Sequence, residues 1–420
     1  MIKAITGTKD ILPFDIQKWK YLENIVNNVM GSFNYKEIRT PVFEETSLFH
    51  RGIGEATDIV SKEMYTFLDK GETSITLRPE MTASVVRAFI EHSLEAKQSL
   101  NKLFYMAPMF RQERPQAGRL RQFHQFGAEA LGSTSPALDA EIIIIAYEIL
   151  KKLGLKNLSL KTNSLGVPES RENYKNILKT YLSDKVSSLS EDSRKRFDTN
   201  ILRIFDSKDE HDILIMKEAP LLIDYLDQES KSHFDEVQSL IKGADIPFEV
   251  DPKLVRGLDY YTHTTFEIVS GSVGSQSALC GGGRYDLLIE QLGGKPSPGV
   301  GFAAGIERIL LACENENSLN VPDEKLDLYI VRLDRELTNK VFEIGLFFRK
   351  NLLQTEFDYM GRSVKAQMRE ANKLNTKYAI FLGGEEYQRN EFILKNMSNG
   401  EQEVISLNNL ESVVNKLKGE

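Results

Sequence analysis

The residue types that could do chemistry crowd into one stretch. Between Arg111 and Arg121 the sequence RQERPQAGRLR holds four arginines and one glutamate, Glu113, a local charge of 4 − 1 = +3 in a chain of net charge −8. Guanidinium forks grip phosphate or carboxylate oxygens in pairs and stay charged when desolvated, so this cluster points to an anionic ligand. Beyond it, Arg121, Phe123, Gln125, Gly127 and Glu129 alternate with His124, Phe126 and Ala128. In an extended strand the first set projects from one face and the second from the other. That face presents a cation, an aromatic plate, an amide and a carboxylate. From Phe123 to Glu129 it runs ~20 Å at ~3.4 Å per residue, about the length of a nucleotide joined to a small molecule. A polar floor where a sheet would bury apolar side chains breaks a local rule, and such breaks tend to mark function. The plain alternative is a solvated edge hairpin.

Two more arginines sit in suggestive settings. Arg256 precedes Gly257 between apolar flanks, and Arg308 follows Gly299, Gly301 and Gly305, which would let a ligand approach the backbone closely. Neither setting is a dinucleotide fingerprint or a P-loop. Glu80 follows Pro79 at a helix start and Glu129 ends the polar row; the plain readings are a helix N-terminal acid and a strand-end acid. Tyr260 and Tyr261 are expected on a strand, one facing the core and one a site. The six histidines show no metal pairing or triad spacing. Cys280 and Cys313 are too isolated for a disulfide framework or a zinc site.

These residues need elements to hold them. At 420 residues and 41 % hydrophobic, the chain suggests two or three domains with proper cores. The runs around Pro115 and Gly118 read as a long antiparallel hairpin over 104–132. A helical stripe covers 15–29, and YKEIRTP (35–41) reads as an edge strand because Pro41 cannot donate to a ladder. A hairpin over 65–78, a helix through 83–90 and an isoleucine-rich helix from Ser135-Pro136 to Gly154 follow. From 168 to 245 the composition turns to amphipathic helices with 12 Lys/Arg against 17 Asp/Glu, and β-type patterning then resumes. The expected division is therefore 1–167, a helical insertion at 168–245, 246–317, a polar linker at 318–325, and 326–420. That last segment alternates β-α-β-α-β and reads as a parallel α/β domain with 14 Lys/Arg and 14 Asp/Glu. The start, MIKAITGTKDILP, lacks the apolar core of a signal peptide, and Ile142–Ile145 is too short to span a bilayer. A soluble, cytoplasmic protein is expected.

Taken together the motifs resemble class II aminoacyl-tRNA synthetases, and among them the histidyl-tRNA synthetase family. YKEIRTPVFE looks like motif 1, Phe110 to Phe123 like motif 2, and GVGFAAGIER (299–308) like motif 3. LVRGLDYYTHTTFE (254–267) and GGGRYD (281–286) are similar to strings particular to the histidine family, and TLRPEMT and GTKDILP agree. Leu120 departs from the aromatic usual inside the motif 2 string, and 383–397 is a loose version of the late C-terminal pattern.

The resemblance implies an α+β catalytic domain, an antiparallel sheet flanked by helices, with the insertion and an anticodon-binding-like α/β domain. It implies ATP as substrate with Mg²⁺, L-histidine, tRNA(His), a homodimer and no membrane. It assigns Arg111 to the substrate carboxylate and α-phosphate, and Arg256 to the α-phosphate, as the catalytic pair. Phe123 and Arg308 would sandwich adenine, with Glu113 and Arg119 near the adenine and outer phosphates. Glu80, Thr82 and Gln125 would fix the α-amino group, and Glu129 with Tyr261 the imidazole. Tyr260 and Tyr285 belong to the same pocket, while Arg114 and Gln116 would meet the acceptor end of the tRNA. A rival is the histidine-sensing regulatory subunit of ATP phosphoribosyltransferase, which usually lacks the C-terminal domain and loses motif residues. A duplicate synthetase with altered tRNA preference or antibiotic resistance is the other.

Overall fold

Ten residue pairs in antiparallel register, Asn101↔Leu131 through Phe110↔Gln122, build the hairpin that the apolar runs predict. The computed structural model describes residues 2–54, 57, 59–116, 118–255, 260–276 and 278–419. It divides into two compact units, Met1–Val321 and Pro322–Glu420, with the boundary inside the stretch expected to be a linker.

In the first unit the strands are β1 (Lys36–Glu37), β2 (Phe43–Glu45), β3 (Tyr65–Leu68), β4 (Ser74–Leu77), β5 (Asn101–Phe110) and β6 (Gln122–Leu131). They continue with β7 (Leu158–Ser164), β8 (Phe248–Val250), β9 (Thr262–Ser270), β10 (Ala278–Arg284) and β11 (Gly299–Gly305). Eight of them form one sheet in the order β1-β5-β6-β11-β10-β9-β7-β8. The centre is antiparallel, and only the edge pairs β1/β5 and β7/β8 are parallel. The strand read over 35–41 is cut back to Lys36–Glu37; it lies at the sheet edge as expected, but Pro41 falls outside it, so the missing donor is not what places it there. A small sheet, β2-β4-β3, stands apart and leaves Phe43, Phe67 and Leu68 exposed.

Side-chain alternation decides which face of the large sheet is filled. Phe126, Ala128 and Ala130 of β6 and Phe302 of β11 join the main core with Leu22 and Val26 of helix Pro13–Ser32 and four isoleucines of helix Pro136–Lys152. Ile142, Ile143, Ile145 and Ile149 are fully buried, each worth ~1.5–3 kcal/mol over exposure. Val237 and Ile241 of helix Gln228–Gly243 join the same core, so the last helix of the acid-rich stretch packs with the large sheet. The opposite face carries Gln125, Gly127 and Glu129. Gly127 is obligatory, because a Cβ there would lie 2.4 Å from the Tyr105 hydroxyl.

The second unit has strands β12 (Leu328–Arg332), β13 (Thr355–Phe357), β14 (Tyr378–Leu382), β15 (Glu391–Asn396) and β16 (Gln402–Ser406). Their order is β13-β12-β14-β15-β16. The first three are parallel, whereas β15 and β16 are antiparallel, so the purely parallel reading is corrected to a mixed sheet. An Asn399-Gly400 turn, with Gly400 at φ +80°, closes the extra hairpin.

Candidate active site

The polar face of β6 floors a cavity of about 420 Å³. Glu80, Thr82, Arg111, Glu113, Arg119, Phe123, Gln125, Tyr260, Tyr261, Tyr285 and Arg308 all line it, drawn from segments more than 200 residues apart. Arg121 does not. Its chain precedes β6, its backbone N–H donates to Gly7 (2.7 Å), and its guanidinium reaches Thr6 O and Glu113 O, both at 3.4 Å. Arg256 lies outside the described residues.

At one end of the cavity the chemistry is that of buried acids and hydroxyls. Glu80 accepts from the backbone N–H of Thr82 (2.7 Å) and Ala83 (2.9 Å), satisfying donors at the start of helix Thr82–Glu91. Its burial raises its pKa. Glu129 has no exposed surface and does not line the cavity wall; it lies just beneath, at the level of Gly301. A Cβ on Gly301 would fall 1.8 Å from Glu129 Oε2. Thr82 Oγ1 donates to Glu129 Oε1 at 2.8 Å, the Tyr105 hydroxyl donates to it at 3.4 Å, and the Tyr285 hydroxyl donates to Oε2. Burial pushes the Glu129 carboxyl up to about 8, outweighing three hydroxyls that favour its charge. The carboxylate read from the sequence is therefore a carboxyl poised near neutral pH.

Tyr260 and Tyr261 correct a second expectation. They precede β9 rather than lie in it, so strand alternation does not separate them. Their rings sit 4.7 Å apart, both are 5 % exposed, and both line the cavity.

At the other end cations and a ring dominate. The Arg111 guanidinium lies over the Phe123 ring, 5.2 Å from its centroid, while Nε donates to Pro79 O at 2.9 Å. Glu113 sits between Arg111 (3.6 Å) and Arg119 (3.2 Å). Gln116 and Arg119 exchange backbone hydrogen bonds of 3.1 and 2.9 Å, and Gly118 at φ +72° makes the turn between them possible. Arg308 donates from Nη1 to Ala278 O at 2.6 Å, and burial lowers its pKa. Among the described residues, Arg308 Nε and Gln125 Oε1 are buried without a hydrogen-bond partner, two polar atoms ready for a polar ligand. Arg114 and Gln116 line an adjoining depression that shares Glu113 and Arg119 with the main cavity.

Three residues were not singled out from the sequence. Glu267, within the apolar run TFEIV, lines the cavity, and its odd polarity was the available signal. Glu307 accepts the His124 backbone N–H with both oxygens (3.0 and 2.9 Å) and His124 Nδ1 at 2.9 Å. It takes over where the β6/β11 ladder ends at Gln125↔Gly305. Arg78, 3 % exposed, donates to Pro108 O, Thr40 O and Pro41 O and so ties the segment that follows β1 to β5.

An antiparallel sheet with helices behind it, a polar cavity floored by the motif 2 hairpin and an arginine from a glycine-rich strand-helix junction together define a class II aminoacyl-tRNA synthetase catalytic unit. Comparison with known proteins takes this further. The family model described as histidyl-tRNA synthetase matches residues 7–309, and an anticodon binding domain model matches 317–417. The histidine–tRNA ligase of Caldanaerobacter subterraneus subsp. tengcongensis is 48 % identical over 415 residues, 99 % of each chain. That of Thermoanaerobacter sp. strain X514 is 49 % identical over 418 residues, covering 99 % of this chain and all of the relative. The crystal structure of apo S. aureus histidyl-tRNA synthetase superimposes with a TM-score of 0.83 at 40 % identity, over 99 % of this chain and 100 % of that one. The chain belongs to the histidyl-tRNA synthetase family, whose members are aminoacyl-tRNA ligases.

Proposed function

We propose that the protein activates L-histidine with ATP to histidyl-adenylate and pyrophosphate, then transfers histidine to the 3′ end of tRNA(His). The observation that carries this reading is the single cavity with an arginine-and-ring end and an acid-and-hydroxyl end, joined by one strand face. The adenine would lie between Phe123 and Arg308, with Glu113 and Arg119 towards the outer phosphates. The substrate carboxylate would meet Arg111 and attack the α-phosphorus in line, and pyrophosphate would leave. Arg256, which lies outside the described residues, would share the α-phosphate. Positioning and charge stabilisation supply the catalysis, and no protein nucleophile is needed. Mg²⁺ would enter with the ATP phosphates as part of the substrate. Among the described residues no group of three or more His, Cys, Asp or Glu side chains is arranged to hold a metal ion.

Glu80, Thr82 and Gln125 would take the α-amino group. The imidazole would lie against Tyr260, Tyr261 and Tyr285, over the Glu129 carboxyl. Arg114 and Gln116 would guide the acceptor end of the tRNA, and the unit Pro322–Glu420 would read the anticodon. The chain would work in the cytoplasm as a homodimer, its contact built on the edge strand β1 and the exposed Phe43, Phe67 and Leu68. Among the described residues no helix is long and apolar enough to cross a membrane. Charging tested with labelled histidine and a pool of tRNAs should put acid-precipitable label on tRNA(His) alone. Label spread over other tRNAs, or none with folded protein, would contradict the reading.

A further inference from the structure

Behind the pocket lies a buried polar chain that the reaction described above does not use. Arg284 is fully buried, and all five of its N–H donors are engaged. Nε faces Asp139 Oδ1 and Oδ2 at 3.1 and 3.0 Å, and Nη2 faces Asp139 Oδ2 and Ser135 O, the latter at 3.3 Å. Nη1 donates to Ser133 O at 2.9 Å and Asp286 Oδ1 at 3.0 Å. A guanidinium held on every donor fixes the chain direction at the next residue. That residue is Tyr285, whose N–H donates to Gly299 O at 2.7 Å and whose hydroxyl reaches Glu129.

The far end of the chain is helix Gln228–Gly243. His233 from that helix presents Nε2 to Asp139 Oδ1 at 3.2 Å; against a carboxylate that nitrogen must carry its proton. The His233 ring also stacks on His263, 5.1 Å between centroids at 28°. His263 sits at φ +42°, at the point where the β9/β10 register slips between Gly283↔Thr265 and Arg284↔Thr262. Such bulges re-aim side chains beside sites. Here the slip lies next to Tyr261, just before β9, and Tyr285, just after β10.

We infer that His233, Asp139 and Arg284 are positioning residues for the imidazole end of the pocket, so that helix Gln228–Gly243 sets histidine affinity from outside the cavity. This rests on taking the Tyr285 end as the imidazole subsite. As an ordinary core device the trio would be expendable, since apolar replacements of buried ion pairs are often neutral for stability. As a positioning device it cannot be.

The test is histidine-dependent ATP–pyrophosphate exchange by the full chain, with the KM for histidine and for ATP measured separately. His233→Leu should raise the histidine KM about tenfold, since loss of one buried partner on Asp139 lets the fork tilt. The ATP KM and kcat should stay within about twofold. His233→Gln, whose amide can donate to Asp139, should restore most of the loss. Arg284→Lys should raise the histidine KM by about 10², the cost of a side chain displaced by ~1 Å. If that variant does not fold, the two His233 variants decide. An unchanged histidine KM in His233→Leu overturns the inference, as does a joint rise of both KM values with a fall in kcat that His233→Gln fails to reverse. Wild-type exchange that ignores histidine would instead sink the proposed function.

Discussion

Glu129→Gln separates what the buried carboxyl does for binding from what it does to stability. The side chain has no exposed surface, and burial raises its pKa from 4.5 to about 8. The sign follows from proton counting. Above about pH 4.5 the unfolded chain gives up this proton and the folded chain keeps it. The stabilisation from the protonated form is therefore complete below pH 4.5 and is lost as pH rises through 8. The gap of 8 − 4.5 = 3.5 pKa units, at ~1.36 kcal/mol each, is on the order of 5 kcal/mol. Glutamine has nearly the same shape and no such dependence. Trp19 is the only tryptophan and lies in the catalytic core, so its fluorescence follows unfolding of that unit in urea. Wild type should lose stability relative to Glu129→Gln between pH 5 and 8.5 by most of that amount. In the same variant kcat/KM for histidine should fall by at least ~10², because the carboxyl, protonated in the empty pocket, can give up its proton to face the imidazole N–H as a charged acceptor, whereas an amide cannot ionise. Superimposable pH profiles would refute the raised pKa. A variant that spares histidine but raises the KM for ATP would show that the two ends of the cavity have been assigned in reverse.

Gly301→Ala should abolish histidine activation by ~10² or more, since its Cβ would lie 1.8 Å from Glu129 Oε2 and 2.5 Å from Ala128 O and force β11 off β6; exchange kinetics check it. Glu307→Gln should cost about 1–2 kcal/mol in ATP affinity, about tenfold in its KM, by loosening the clamp on His124 beside Phe123. An unmoved ATP KM would remove Glu307 from the adenine site's support. A protein ending at Val321 should retain pyrophosphate exchange and lose most tRNA charging, because the cavity is lined wholly by the first unit. Equal loss of both activities in a folded truncation would argue against that division.

Much of this was legible in residue types alone. The alternation from Phe123 to Glu129 predicts which side chains share a face, because a strand has a strict period of two. It fails at Arg121, where β6 has not begun, and at Tyr260 and Tyr261, which precede β9; pattern alone does not locate a strand's first residue. Burial was the larger gap. Glu129 reads as a strand-end acid on a polar face until the Tyr105, Tyr285 and Thr82 hydroxyls are seen to enclose it. The Asp139–Arg284 pair joins residues 145 apart, and His233 adds a third segment, so no local spacing announces it. In the second unit the β15/β16 hairpin carried its signal in Asn399-Gly400, but the β-α-β rhythm of the neighbouring elements overshadowed it.

The central claim is that one cavity joins histidine to ATP. ATP–pyrophosphate exchange by the wild-type protein, run against each amino acid in turn with Mg²⁺ and ATP, tests it most directly. The account predicts exchange with L-histidine and rates roughly 10⁴-fold lower with side chains that lack a paired ring donor and acceptor. Exchange driven equally well by another amino acid, or absent with histidine while the protein is folded, would contradict it.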